Sequence, residues 1–232
     1  QKLLEKLGVL IIREKASFIN ENTIKAGSTH LTSKNILIAT GGTPVKPSFL
    51  SDERIISSDE AFHLKKLPAT ISLVGGGYIA LEFASIFNGL GCTTNLLYRG
   101  PLFLRGFDSE CREFLASQMM DKGINLFFNC DVENIENKTN GLELFTSDSK
   151  RIESDLIMFA TGRRPNIDGL GLEELGLNLD SENAVVVDTN YKTNIDNIFA
   201  IGDVTNRINL TPVAINEAMA LTDFLYGEKN KT

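Results

Sequence analysis

The 232-residue chain has a net charge of −7 and a sequence pI near 5.0. With no basic stretch to neutralise phosphates, a nucleic-acid partner is excluded. Its apolar fraction of 42% and 19 glycines are those of an α/β protein with room for one or two cores. No apolar run approaches the roughly 18 residues of a membrane span and no signal peptide opens the chain, so no membrane association is expected. Cys92, Cys111 and Cys130 lie 19 residues apart and form no CxxC or CxxxxC pair. They are expected to be small buried groups in a reducing compartment, the cytoplasm or an organelle matrix or stroma.

In chain order, Gln1 to Leu4 opens inside helical spacing without an initiator methionine, as a segment of a longer protein would. Residues 9–12, 16–19 and 23–26 are expected to form a small antiparallel meander. Residues 33–42 form an apolar run that stops at Ala39-Thr40-Gly41, a buried strand whose end passes close to something. A short helix over 57–67 carries Glu60 and His63, the latter read as a surface residue. Strand 71–74, turn 75–77, helix 78–90 and strand 93–98 make a βαβ unit of the kind that builds a parallel sheet. Helical spacing over 108–122 sets Phe114, Leu115, Gln118 and Met119 near one face. Strands are expected at 125–128, 132–137, 142–145 and 155–160, and the last ends in Ala160-Thr161-Gly162. That echo of Ala39-Thr40-Gly41 implies two dinucleotide-binding domains, one inserted in the other. A strand at 184–187 and an apolar run into Gly202-Asp203 follow, and Thr211-Pro212 opens a helix to 225.

The pattern Gly75-x-Gly77-x-x-Ala80 lies between a strand and a helix. The first glycine permits a tight turn, the second lets backbone approach a pyrophosphate, and Ala80 lets the helix pack closely. The helix N-terminus, with Ile79 in its first turn, offers unpaired N–H groups to the phosphates. A glycine-rich packing turn is the bland alternative. Where an NAD site carries an acid about 20 residues on, this chain has Tyr98, then Arg99 and Arg105, with no carboxylate before Asp108. Two guanidiniums match a 2′-phosphate and point to NADPH; two solvated surface arginines are the alternative. Asp203, after Gly202 at a strand end, can accept hydrogen bonds from cofactor hydroxyls, and with the preceding Thr193 and apolar run it points to a flavin; an ordinary loop aspartate is the alternative. Tyr78 is either a surface aromatic or a lid over a nicotinamide pocket. Glu82 is either a first-turn acid favoured by the helix dipole or a group that sets local charge. No metal site is expected.

The string from Gly75 to Ala84 resembles the NADPH-domain signature of the glutathione reductases, FAD- and NADPH-dependent pyridine nucleotide-disulfide oxidoreductases. Arg99 and Arg105 followed by Gly106-Phe107-Asp108, the run Ala160 to Asn166, and the run Ile201 to Ala214 are similar to the same family. The resemblance implies a Rossmann-like NADPH-binding domain, a parallel sheet plus β-meander, inserted in a partial FAD-binding domain. Residues 43–164 would bind NADPH, while 1–42 and 165–232 would belong to the FAD domain. Arg99 and Arg105 would hold the 2′-phosphate, with Thr161 and Gly162 closing the nucleotide domain. Gly41, Gly202 and Asp203 would face FAD, Asp203 on its ribityl chain, with Leu210 and Thr211 at the flavin pyrimidine edge. Tyr78 would swing aside to admit nicotinamide, and Glu82 would pair with a lysine outside this chain; these two are the catalytic candidates.

The complete enzyme would pass electrons from NADPH through FAD and a redox disulfide to glutathione disulfide, as a homodimer. The family's FAD-pyrophosphate GxGxxG, its CxxxxC dithiol and its C-terminal interface domain with a His-Glu pair are expected outside this segment, which alone would be inactive. A stand-alone NADPH-binding module without turnover, and a related reductase acting on trypanothione or mercuric ion, are the other readings.

Overall fold

A computed structural model describes residues 2–47, 52–139 and 141–227. They fall into two units of the chain, one before Pro44 and after Arg163, the other Pro44–Arg163. In the first unit a short helix α1 (Lys2–Lys6) precedes strands β1 (Ala16–Asn20), β2 (Thr23–Ala26) and β3 (Thr29–Thr32), an antiparallel meander. Residues 9–12, expected as a strand, are unpaired, and 29–32 take that place. The β2–β3 loop is two residues long and starts at Gly27 with φ +61°, the chain reversal that a hairpin favours. Strand β4 (Ile36–Ile38) follows, and β5 (Gly42–Pro44) carries the chain into the second unit.

The second unit contains β6 (Ile55–Ile56), α2 (Ser58–Ala61), β7 (Thr70–Val74), α3 (Tyr78–Gly89), β8 (Thr93–Tyr98), α4 (Ser109–Asp121) and β9 (Asn125–Phe128). It continues through β10 (Val132–Lys138), β11 (Gly141–Thr146), β12 (Arg151–Ser154) and β13 (Leu156–Phe159). Helix α2 is shorter than the expected 57–67. Ser57 and Glu60 form a capping box at its start, but Pro68 disfavours helical backbone at Leu67. Five strands in the order β6-β13-β7-β8-β9 make an all-parallel sheet. Strands β10–β12 make a separate antiparallel meander.

Parallel strands buried on both faces need cover on both, and the residues alternate accordingly. Leu73, Leu96 and Met158 pack with Ala84, Phe87 and Met119 of α3 and α4. Val74, Leu97, Ile157 and Phe159 pack with Ile135, Leu142, Leu144 and Ile152 of the meander. On α4 the inward residues are Ala116 and Met119, whereas Phe114 is 69% exposed and Gln118 is exposed. The inward stripe runs through 112, 115, 116 and 119, and at about 100° per residue Phe114 falls on the opposite side of the helix. Cys92 and Cys130 are buried as expected, but Cys111, on the outer side of α4, is exposed.

The chain returns through β14 (Arg163–Pro165) to the first unit. There β15 (Ile198–Ala200) pairs parallel with β4, and α5 (Thr211–Tyr226) ends the described chain. Ile36, Ile38, Leu172, Leu177, Val185, Ile198 and Val204 form its core. The expected strand at 184–187 is a single bridge, Leu179 to Val185. The Val185 amide donates to Val204 O and the Val186 amide to Asn178 O, so the run is pinned at separate points and has no ladder.

Two polar devices fix the second unit. A chain of hydrogen bonds, buried as far as Asn95, crosses the sheet, from Ser154 to Ser72 at 2.5 Å, Asn95 to Ser72 at 3.1 Å, and the exposed Asn125 to Asn95 at 2.9 Å. At one edge Arg54 is bound by Asp52 and reaches Gly141 O at 3.1 Å and the Asn137 side chain, which ties β6 to the β10–β11 hairpin. The Arg54 guanidinium holds the Asp52 carboxyl at about 2, below its ordinary 3.8.

Asn95→Leu should lower stability by on the order of 1–3 kcal/mol in urea unfolding, because Ser72 and Asn125 lose a buried partner; wild-type stability would show the chain of bonds to be idle. The folded Asp52 value lies below the unfolded one, so its contribution is complete above about pH 4 and is lost as pH falls toward about 2. Asp52→Asn should therefore shrink the drop in urea midpoint between about pH 5 and about pH 3; an unchanged drop would place the acid sensitivity elsewhere.

Candidate functional site

In the second unit, the expected residues gather at the carboxyl ends of β7, β8 and β13. Parallel sheets bind ligands at this edge because their loops and helix N-termini converge there. Gly75 has φ +148°, and a Cβ on it would stand 2.3 Å from Ala160 O. Ala80, 0% exposed, backs the same turn. Gly75 is thus glycine because the end of β13 presses on it. Gly76 is glycine because a Cβ would stand 2.3 Å from the Tyr98 ring, a role the sequence pattern did not single out. Gly77 has neither reason, since its Cβ would meet nothing within 4 Å. Open space at Gly77 is what close backbone approach by a ligand requires.

Gly77 is the N-cap of α3, no side chain caps that helix, and its first turn holds no acid. The leading N–H groups of a helix have no intrahelical acceptor, so those of Tyr78, Ile79 and Ala80 can serve an anion. Tyr78 is 46% exposed. Glu82 is exposed and sits in the second turn, beyond the first-turn position where the helix dipole would favour it.

Tyr98 ends β8 with its ring against Gly76 on one side and Gly100 on the other, where a Cβ would stand 2.7 Å from Tyr98 Cε1. The loop after it is anchored at several points. Phe103 is 0% exposed, and the Leu104 amide donates to Gly76 O at 2.7 Å. Arg112 of α4 donates to Phe103 O at 2.7 Å and Leu102 O at 2.6 Å. Leu104 is held at φ +54°, an uncommon setting for a non-glycine residue. Arg99 and Arg105 project from this braced loop, both exposed, and among the described residues neither makes an ion pair. Thr161 and Gly162 follow β13; Gly162 has φ +155° and accepts the Val45 amide at 3.0 Å.

In the first unit, Gly41 and Gly202 follow the adjacent strands β4 and β15, and the Ile201 amide donates to Ile38 O at 3.2 Å. Gly41 (φ +71°) and Gly202 (φ +72°) both take left-handed backbone. Asp203 lies in a 3-10 turn, Gly202–Thr205, half-buried, with no protein donor on its carboxylate among the described residues. Leu210 is the N-cap of α5, Thr211 its first residue, and no side chain caps it. Beside them Asn209 Oδ1 is buried and has no hydrogen-bond partner among the described residues, whereas buried acceptors are ordinarily paired. Thus Gly41, Gly202, Asp203, Leu210 and Thr211 form one set, and Gly75 to Glu82, Arg99, Arg105, Thr161 and Gly162 form another, each within its own unit. Among the described residues no group of three metal-ligating side chains occurs, and no helix is long and apolar enough to cross a membrane.

The family model for pyridine nucleotide-disulphide oxidoreductases matches residues 1–218. A glutathione reductase of Burkholderia cepacia is 42% identical over 229 residues, 99% of this chain and 51% of that protein. A trypanothione reductase of Trypanosoma congolense is 40% identical over 97% of this chain and 46% of its own length. The chain spans about half the length of the curated relatives it matches. Its fold superposes with a TM-score of 0.89 on the HOCl-induced flavoprotein disulfide reductase RclA from Escherichia coli, at 29% identity over 95% of this chain and 51% of that one.

The glycine turn gives a direct test of its packing. Gly76→Ala should cost about 1–3 kcal/mol, since the Tyr98 ring must shift. In a Tyr98→Ala background most of that cost should vanish, because the coupling lies in one contact. Equal costs in both backgrounds would assign the requirement for glycine to something other than the ring.

Proposed function

The chain belongs to the pyridine nucleotide-disulphide oxidoreductases, and on that premise we propose that it is the nucleotide-handling part of an NADPH-dependent flavoprotein disulfide reductase whose acceptor is glutathione disulfide. One observation carries the NADPH reading. Arg99 and Arg105 stand on a loop bound to the glycine turn through Leu104, and no carboxylate of the described protein neutralises them. A 2′-phosphate supplies the charge and the bidentate geometry that guanidinium groups favour.

When bound, NADPH supplies a hydride and FAD relays its two electrons to a disulfide. The chain's own residues bind and orient. Residues 44–163 hold NADPH, with the Gly75–Gly77 backbone and the α3 N-terminus on its pyrophosphate, and Ile79 and Ala80 in the turn beneath. Thr161 and Gly162 border the same site from β13. Exposed Tyr78 covers the nicotinamide position and turns aside when that ring enters, while Glu82, one turn on, sets the charge there. The rest of the chain contributes to FAD binding. Asp203 accepts from ribityl hydroxyls, Gly41 and Gly202 let backbone approach, and Leu210 and Thr211 set the α5 N-terminus against the pyrimidine edge. A positive helix end there favours the negative charge that reduction brings. The residues fit both groups, as Gly77 opens on free space and Asn209 Oδ1 lacks a donor among the described residues.

Glutathione disulfide is favoured as acceptor by the 42% identity to the Burkholderia protein over nearly the whole chain. Trypanothione disulfide is the second reading, favoured by 40% identity to the Trypanosoma protein over a similar span. The complete protein is proposed to be a homodimer working in the cytoplasm.

Replacing Arg99 and Arg105 together by glutamine should weaken NADPH binding strongly and leave NADH nearly unchanged. Each lost charged contact costs on the order of 1.5–3 kcal/mol. Fluorescence titration of both nucleotides reads the difference, and equal losses for the two would remove the 2′-phosphate role.

A further inference from the structure

Glu217 lies on α5 and is 6% exposed. Its two oxygens serve different segments. Oε2 accepts the Gly202 amide at 2.7 Å, and Oε1 accepts the Arg207 guanidinium at 2.6 Å. Arg207 in turn lies over the Tyr191 ring, 4.9 Å from its centroid. One helix side chain therefore ties together the turn at Tyr191, the 3-10 turn at Gly202 and the loop leading to Asn209 and Leu210. Gly202 is also confined from the helix side, since its Cβ would stand 3.3 Å from the Ala214 Cβ.

Burying a carboxylate is costly unless it is both paired and hydrogen-bonded, and well-packed apolar groups often stabilise as well as a buried ion pair. Stability alone therefore gives no reason for an acid at this place. What an acid does, and an apolar residue cannot, is hold the Gly202 amide and Arg207 at the same time. The Asp203 amide and carboxylate follow directly on the held residue, and that carboxylate stays free of protein donors among the described residues.

We propose that Glu217 and Arg207 are a positioning pair that sets the Gly202–Asp203 turn, and with it the Asp203 carboxylate, for the hydroxyl-bearing chain of a flavin. The inference rests on the flavin reading given above. Glu217 does not itself touch the cofactor. It fixes the backbone that precedes Asp203, while Arg207 fixes the path to Asn209 and the α5 N-terminus.

The test uses the protein encoded by the complete reading frame that contains this chain. Dissociation constants for FAD and NADPH and the thermal midpoint are measured for Glu217→Gln, Arg207→Gln, the double variant and Asp203→Ala. Loss of the charge-assisted pairing in Glu217→Gln should weaken FAD binding by about tenfold or more, with NADPH affinity unchanged. The double variant should be little worse than the worse single, as members of one network are not additive. FAD affinity within about twofold of wild type in both single variants would overturn the proposal, since a lost charged contact is worth more than that. If Asp203→Ala also leaves FAD affinity unchanged, the flavin reading itself falls. If only Asp203→Ala weakens it, the flavin reading stands and the positioning pair falls. Should Glu217→Gln fail to fold, read as lost NADPH affinity, Arg207→Gln decides alone, because its side chain is 40% exposed and tolerates exchange.

Discussion

The hard contact at Gly75 and Gly76 governs the second unit. Backbone from the end of β13 and the ring from the end of β8 both press on these residues, each to 2.3 Å of where a Cβ would stand. No L side chain with a Cβ fits there without movement. The turn is therefore locked between two strand ends, and α3 must start at Gly77 in a direction set by the sheet. The same contacts brace the loop from Tyr98 to Phe107, since Leu104 bonds back to Gly76 and Arg112 holds the carbonyls just before it. Helix start, glycine turn and arginine loop are thus one mechanical piece. Sites that must hold charge in fixed geometry are built on rigid elements of this kind.

The first unit solves the same problem by different means. Strands β4 and β15 end side by side, and each runs into a left-handed glycine. No aromatic wedge braces this turn. A buried carboxylate reaches in from the following helix and takes hold of the backbone amide. Packing fixes one glycine turn and a charge-assisted hydrogen bond fixes the other. The second device responds to single-atom chemistry, because a glutamine at 217 alters the bond to Arg207 with almost no change in volume.

Much of the fold was legible because its signals are local. An apolar strand, a glycine turn and a helix within about 30 residues specify a βαβ unit by periodicity alone, and β7, α3 and β8 lie where that pattern puts them. The misjudged elements depend on partners far along the chain. Residues 9–12 have strand-like composition and nothing to pair with. Strand β12, Arg151–Ser154, is unremarkable as a string and forms because β11 lies beside it. Val185 is buried, yet its amide goes to Val204, 19 residues on, and no ladder forms. The same divide runs through the candidate sites. The glycine turn and its arginines are named by a short motif, whereas Gly76 is explained by a ring 22 residues away and the Gly202 amide is held by Glu217, 15 residues on. An acid in the middle of a largely apolar helix was the available signal for Glu217, but Asp223 of the same helix carries the same signal and is exposed, so only burial separates them.

What the fold leaves unused separates ligand sites from packing. Arg54, Arg112, Arg164 and Arg207 all bind acids or carbonyls of the protein, so their placement is explained without a ligand. Arg99 and Arg105 are not so engaged, although the chain carries 30 acids against 23 bases. In a protein of negative net charge, two cations on one loop without an acid between them in sequence raise the local potential, and that favours an incoming anion. Gly77 and Asn209 belong to the same class. The glycine at 77 is demanded by no neighbour, and the Asn209 oxygen is buried without a donor among the described residues. A buried polar atom left unpaired costs free energy, and a glycine costs backbone entropy. Features that the protein alone would be more stable without are the ones that the proposed ligands account for, and Gly77 among them lies in the turn that follows the carboxyl end of a parallel strand.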